Sequence, residues 1–77
     1  MPRGLRNWTF TDVVRFLKDR GFVFSYTNGS HHFYVKPGMP SRSPVCVAFH
    51  GRRVINVWDM QSIVEQSGIS KKEWIRR

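Results

Sequence analysis

Asn28-Gly29 stands between two runs rich in aromatic and β-branched residues, "FVFSYT" (22–27) and "HHFYVK" (31–36). Asn-Gly is a strong turn pair, because both residues tolerate the positive φ that a tight hairpin demands, and β-prone flanks complete the signal. The pair predicts a β-hairpin, which commits the chain to an antiparallel sheet. The loop "PGMPSRSP" (37–44) follows, with Pro37, Gly38, Pro40 and Pro44 excluding regular structure. "VCVAFH" (45–50) then reads as a third strand.

Such a sheet has an apolar face that needs cover, and the flanking segments supply it. In "TFTDVVRFLKDRG", Phe10, Val13, Val14 and Leu17 recur at helical spacing, with Arg15, Lys18 and Asp19 on the other side. Thr9 and Asp12 match a capping box, and Gly21 suits the C-terminal stop. After "GRR", Asn56 is placed to cap a second helix in which Val57, Met60, Ile63 and Val64 share a face and Gly68 ends the run. Ser70 and Glu73 match another capping box, opening a short terminal turn through Trp74. The expected fold is α+β: an αβββα order, three antiparallel strands with both helices on one face, and the opposite face exposed.

Length and charge narrow the function. A chain of 77 residues makes a single domain, 1–77, that buries only about two-thirds of its unfolded surface and has no room for a deep, layered active site. One cysteine, Cys46, rules out an internal disulfide and leaves too few thiolates for a zinc knuckle, a usage that suits the cytoplasm. No apolar run approaches the roughly 18 residues of a membrane span, and "MPRGLRNW" lacks the apolar segment of a signal peptide, so no membrane partner is expected. The net charge of +8 attracts polyanions, nucleic acid first. All five acids, Asp12, Asp19, Asp59, Glu65 and Glu73, fall in expected helices, whereas Phe22 to Arg53 carries Lys36, Arg42, Arg52 and Arg53 and no acid. A nucleic acid would meet the sheet and its loops first.

The chemistry has few openings. No glycine-rich phosphate cradle is present, and no histidine pair at helical spacing flanks a glutamate. No carboxylate cluster accompanies the strand histidines, as a two-metal nuclease would need, and Ser30 beside His31 has no identifiable orienting acid for a serine triad. What remains is acid–base work without metal or other cofactor on an anionic substrate, by an imidazole that trades a proton near neutral pH, with cations for the phosphate. RNA fits best, since its own 2′-hydroxyl supplies the nucleophile.

Three stretches, "GSHHFYV", "VCVAFHG" and "MQSIVEQSGISKKEW", taken in order and with their spacing, resemble the HicA family of small toxins, the YcfA-like mRNA interferases. The resemblance runs from Thr11 to Trp74 and implies a fold related to the double-stranded-RNA-binding domain. It also implies the activity of a toxin–antitoxin ribonuclease: cleavage of mRNA, arrest of translation, and neutralisation by a HicB-like antitoxin protein. The family's catalytic residue, the first histidine of its Gly-Ser-His motif, falls on His31, preceded by Gly29 and Ser30.

Alternation alone points elsewhere. It groups His31 with Phe33 and Val35, and His32 with Tyr34 and Lys36 on what reads as the polar face, so periodicity would choose His32. The resemblance selects His31, with a bulge or turn beside Gly29 allowing alternation to fail there. His32 is then a neighbouring contact. His50 matches a family histidine that commonly follows a proline two residues earlier, where this chain has Ala48, and is a candidate for substrate binding. Arg52 and Arg53 resemble the family's basic loop and are candidates for phosphate contact, and Lys36 is a further cation beside the hairpin. Tyr34 either stacks on a base or packs against a cross-strand neighbour. Where the family often has Gly-Thr-Leu-Arg, this chain has Trp58, Asp59, Met60 and Gln61, losing a base and gaining an acid that repels phosphate. Trp58 is either core or an exposed anchor for the antitoxin. The alternative to an enzyme is a non-catalytic RNA-binding or protein-interaction module of the same fold.

Overall fold

The computed structural model describes residues 4–38 and 44–76. Its order is α1 (Phe10–Asp19), β1 (Val23–Asn28), β2 (His31–Val35), β3 (Val45–Ala48), α2 (Val57–Ser67) and α3 (Lys71–Ile75). The strands form one antiparallel sheet in the order β1-β2-β3, giving the expected α+β, αβββα arrangement. The proline-rich loop read from the sequence lies largely outside the described residues, at 39–43.

Helix α1 starts where its side chains dictate. The Asp12 amide donates to Thr9 Oγ1 at 3.2 Å and the Thr9 amide to Asp12 Oδ2 at 3.0 Å, a reciprocal pair that satisfies two otherwise orphaned donors. Val13, Phe16 and Leu17 are buried, with Phe10 and Val14 packed at the margin, so the apolar stripe includes Phe16 as well as the expected residues. Helix α2 is capped by Asn56, whose Oδ1 accepts from the Asp59 amide at 2.8 Å, and ends at Gly68 in the left-handed region, φ 72°. Its buried face is Met60, Ile63, Val64 and Ser67; Val57 is exposed instead of joining it. Ser70 precedes α3 without a side-chain cap bond. Glu73, expected to complete that box, accepts from Arg20 Nη2 at 3.0 Å instead.

The core lies on one face of the sheet, between Tyr34, Val45 and Val47 and the helices. Trp8 and Trp74 are completely buried beside Phe16; Trp74 stacks on Phe16 at 3.8 Å between ring centroids, and Trp8 meets both rings edge-on. Aromatics of this size each hide about 150–250 Å², roughly 4–6 kcal/mol at 25 cal/mol/Å², a large share of what a small core can supply. The segment before α1 is tied down as well. The Trp8 indole donates to the Gly4 carbonyl at 2.7 Å, and the Ile55 amide donates to the Trp8 carbonyl at 2.7 Å, binding the start of α1 to the loop before α2.

The hairpin turns one residue later than Asn28-Gly29 suggests. Asn28 pairs with His31, leaving Gly29 and Ser30 as the two-residue loop, with Gly29 at φ 63°, a conformation that glycine takes without strain. A bulge does occur, but in β1 at Ser25, where the register shifts between Phe24 and Tyr26. His31 and His32 themselves sit in regular pairing with Asn28 and Thr27 on one side and Ala48 and Val47 on the other. Alternation therefore holds at the histidines, and the face it assigns is corrected: the side that carries Tyr34 and His32 is the covered one. Tyr34 is 4% exposed, because both helices lie over that side together with Val45 and Val47.

Candidate functional site

The Gly29-Ser30 loop delivers His31 to the first position of β2, and the Phe49 amide fixes that loop to the end of β3 by donating to the Ser30 carbonyl at 2.8 Å. Gly29 and Ser30 thus act through the backbone, shaping the turn that presents the histidine. His31 is exposed on the open face of the sheet, while its neighbour His32 points the other way. There the His32 ring is half-buried among Phe10 at 5.0 Å, Phe49 at 5.9 Å and Phe24 at 6.2 Å. His32 is thus packed against phenyl rings, while His31 faces solvent.

His31 lines a cleft of about 410 Å³ that wraps the free edge of β3. Cys46 and Ala48 form the strand wall. His50, Arg53, Val54 and Ile55 form the loop wall, and Asn56, Asp59, Ser62, Ile63 and Gln66 the helix wall, with Phe10 at one end. Helix α2 is held against this edge by the Gln66 side-chain carbonyl, which accepts from the Cys46 amide at 3.0 Å. The turn after β3 brings His50 and Arg53 together: the Arg53 amide donates to the His50 carbonyl at 3.4 Å around Gly51, φ 68°. Of the residues singled out from sequence, His31, His50 and Arg53 share this cleft. Arg52 is exposed on the same turn without lining it.

Two others lie elsewhere. Lys36 follows the far end of β2, five residues and about 16 Å of strand from His31, with its ammonium 6.0 Å from the Phe22 ring. Tyr34 is corrected from a base-stacking candidate to a core residue: it packs edge-on against its cross-strand partner Phe24 at 5.8 Å, and burial pushes its phenol pKa up. Burial likewise raises the Cys46 thiol. Trp58 is 77% exposed, which settles it outside the core.

In the helix wall the sequence singled out Asp59 but not Ser62, Ile63 or Gln66. Asp59, Ser62 and Gln66 recur at helical spacing next to Ile63 of the buried face of α2, and that spacing was legible, but nothing in it announced a cleft. The charge in the wall is mixed. The Asp59 carboxylate accepts from Asn56 Nδ2 at 3.1 Å at the start of α2, opposite in sign to Arg53. No group of three or more His, Cys, Asp or Glu gathers with metal-binding geometry among the described residues. Chemically, the cleft offers an exposed imidazole, a second one, a guanidinium and amide or hydroxyl groups along the β3 edge that α2 faces.

A family model described as the HicA toxin of bacterial toxin–antitoxin matches residues 10–69, which takes in α1, α2, all three strands and the cleft. Comparison with curated proteins and with solved structures gave no match. No helix among the described residues is long and apolar enough to cross a membrane. The family match covers most of the chain, and the strand order and hairpin that present His31 lie within it; the chain therefore belongs to the HicA family, as a toxin of a bacterial toxin–antitoxin system with an antitoxin for partner.

Proposed function

We propose that the protein is a metal-independent endoribonuclease that cleaves mRNA and so inhibits translation, acting in the cytoplasm with His31 as its general acid–base. The observation that carries this reading is the exposed His31 imidazole in a cleft shared with Arg53 and His50, on a chain of net charge +8. His31 takes the proton of a ribose 2′-hydroxyl; the 2′-oxygen attacks the adjacent phosphorus; the bond to the 5′-oxygen breaks and the imidazolium returns a proton to it. A cyclic phosphate and a free 5′-hydroxyl result. Arg53 neutralises the phosphate, and His50 binds it from the same turn. A HicB-like antitoxin masks the cleft, with Trp58 as an exposed aromatic anchor of the kind that dominates interface energies.

The test is cleavage of a long unstructured RNA in excess EDTA by the native protein, His31→Ala and His32→Ala, with the product ends analysed. Cleavage lost in His31→Ala alone, with cyclic-phosphate ends from the native protein, supports the proposal. Equal cutting by His31→Ala ends it. The second reading is a non-catalytic RNA-binding or protein-interaction module; the Asp59 carboxylate in the cleft wall, which repels phosphate, favours its protein-interaction form. Antitoxin binding with neither RNA binding nor cleavage by any form would select that form, and tight RNA binding without cleavage the RNA-binding one.

A further inference from the structure

The face of the sheet that the helices leave bare carries a second aromatic feature. Tyr26 and Phe33 stack there face to face, with ring centroids 4.5 Å apart and planes 11° from parallel, and Tyr26 is 49% exposed. The bulge creates this pair. In β1, Phe24 pairs with Tyr34 on the covered face, and strict alternation would send Tyr26 to that same face; the extra residue at Ser25 turns Tyr26 outward onto Phe33. Phe33 lies two residues beyond His31 on the same face, roughly 6.6 Å along the strand. That spacing is comparable to the distance between the base of one nucleotide and its neighbour's sugar. No carboxylate occurs in any of the three strands, since all five lie in the helices, so the face is open to an anionic chain.

From this geometry we infer that Tyr26 and Phe33 form a stacking platform for one unpaired base of the RNA strand that reaches His31. The inference rests on the proposed RNA substrate and specifies it as single-stranded. A base inside a duplex has both faces covered by its neighbours, so only an extruded or unpaired base can lie on the exposed ring. Phosphate contact at Arg53 then holds the backbone while the platform holds a base, fixing which bond stands over His31. Tyr26 and Phe33 are positioning residues for the reaction.

The experiment measures binding of a short, unstructured fluorescent RNA whose 2′-hydroxyls are methylated, so that it cannot be cut through them, at fixed salt to the otherwise native protein, with and without Tyr26→Leu, Phe33→Leu or Tyr26→Phe. Tyr26→Leu keeps an apolar side chain at an exposed strand site but removes the π-face, and a melting curve confirms that it folds. The expected loss is about 5- to 150-fold for Tyr26→Leu, with Tyr26→Phe binding like its parent and a duplex of the same sequence indifferent to all three changes. Full-strength single-strand binding by Tyr26→Leu overturns the platform. So does an equal loss for duplex, or an unchanged RNA affinity coupled to a loss of antitoxin binding, which would make this face a protein contact. The two proposals fail separately: His31→Ala that still cuts removes the ribonuclease mechanism and leaves the stacking result standing, while unimpaired Tyr26→Leu removes the platform alone.

Discussion

The two faces of one small sheet have nearly the same side-chain chemistry and opposite fates. On the covered face, His32, Tyr34, Val45 and Val47 meet helices and aromatic rings; on the open face, His31, Phe33, Tyr26 and Cys46 meet solvent or the cleft. Each face has a histidine and a pair of aromatics, so residue type does not separate structure from function here. Position relative to the helices does. A histidine walled by Phe10, Phe24 and Phe49 is part of the packing, and the one a residue earlier, facing solvent, is the one proposed to react.

The sharpest way to break this contrast is to remove each histidine in turn. His31→Ala should lower RNA cleavage by about 10²- to 10⁴-fold, the usual worth of a general acid–base, and leave the melting temperature unchanged. His32→Ala should do the reverse: a stability loss of about 0.5–3 kcal/mol, at about 4–8 °C of Tm per kcal/mol, with turnover per folded molecule retained. Paired assays of activity and thermal melting check both. If His32→Ala lost activity while keeping its Tm, the two faces would not divide as described.

The tryptophans sharpen the same contrast. Trp8→Ala empties a fully buried site and should cost about 3–5 kcal/mol in urea unfolding. Trp58→Ala should change stability by no more than about 0.5 kcal/mol while weakening antitoxin binding, measurable by calorimetry, by about 2 kcal/mol or more. Smaller still are the helix caps. Asn56→Ala deletes an observed bond to the Asp59 amide and should cost about 1 kcal/mol, whereas Ser70→Ala, with no such bond, should cost less. Least of all is Glu73→Gln, which breaks a half-exposed pair with Arg20 and should cost under about 1 kcal/mol, shrinking further in high salt.

Much of the architecture was legible because local signals agreed with one another. Thr9 and Asp12 state where α1 begins, Asn56 and Gly68 bound α2, and the hairpin follows from composition. The failures were non-local. Which face of β2 is covered depends on where the helices land, and Tyr34 carries a hydroxyl that reads as polar although its ring is core. The bulge at Ser25 has no signature in "FVFSYT", so the outward turn of Tyr26 was hidden. Trp8 looked like part of a leading segment, yet its backbone bond to Ile55 and its edge contacts with Phe16 and Trp74 make it central. For the candidate site, the family motif marked His31, and the cleft's helix wall needed the docking of α2 onto β3 to be seen.

The Gln66 bond to the Cys46 amide bears on a different matter, how the protein remains a discrete unit. An uncovered strand edge is a template for another strand, and a three-stranded sheet has two such edges. On the β3 side, a side-chain carbonyl occupies the position that a foreign strand's backbone would take, and α2 stands in the way of its approach. On the β1 side, where all six residues are exposed, the irregularity at Ser25 divides the edge into two runs too short to extend a regular ladder. Sheet growth is thereby opposed at one border by a helix and its side-chain carbonyl and at the other by a break in register, and Gln66→Ala would leave the Cys46 amide without its partner while α2 still stands over the edge.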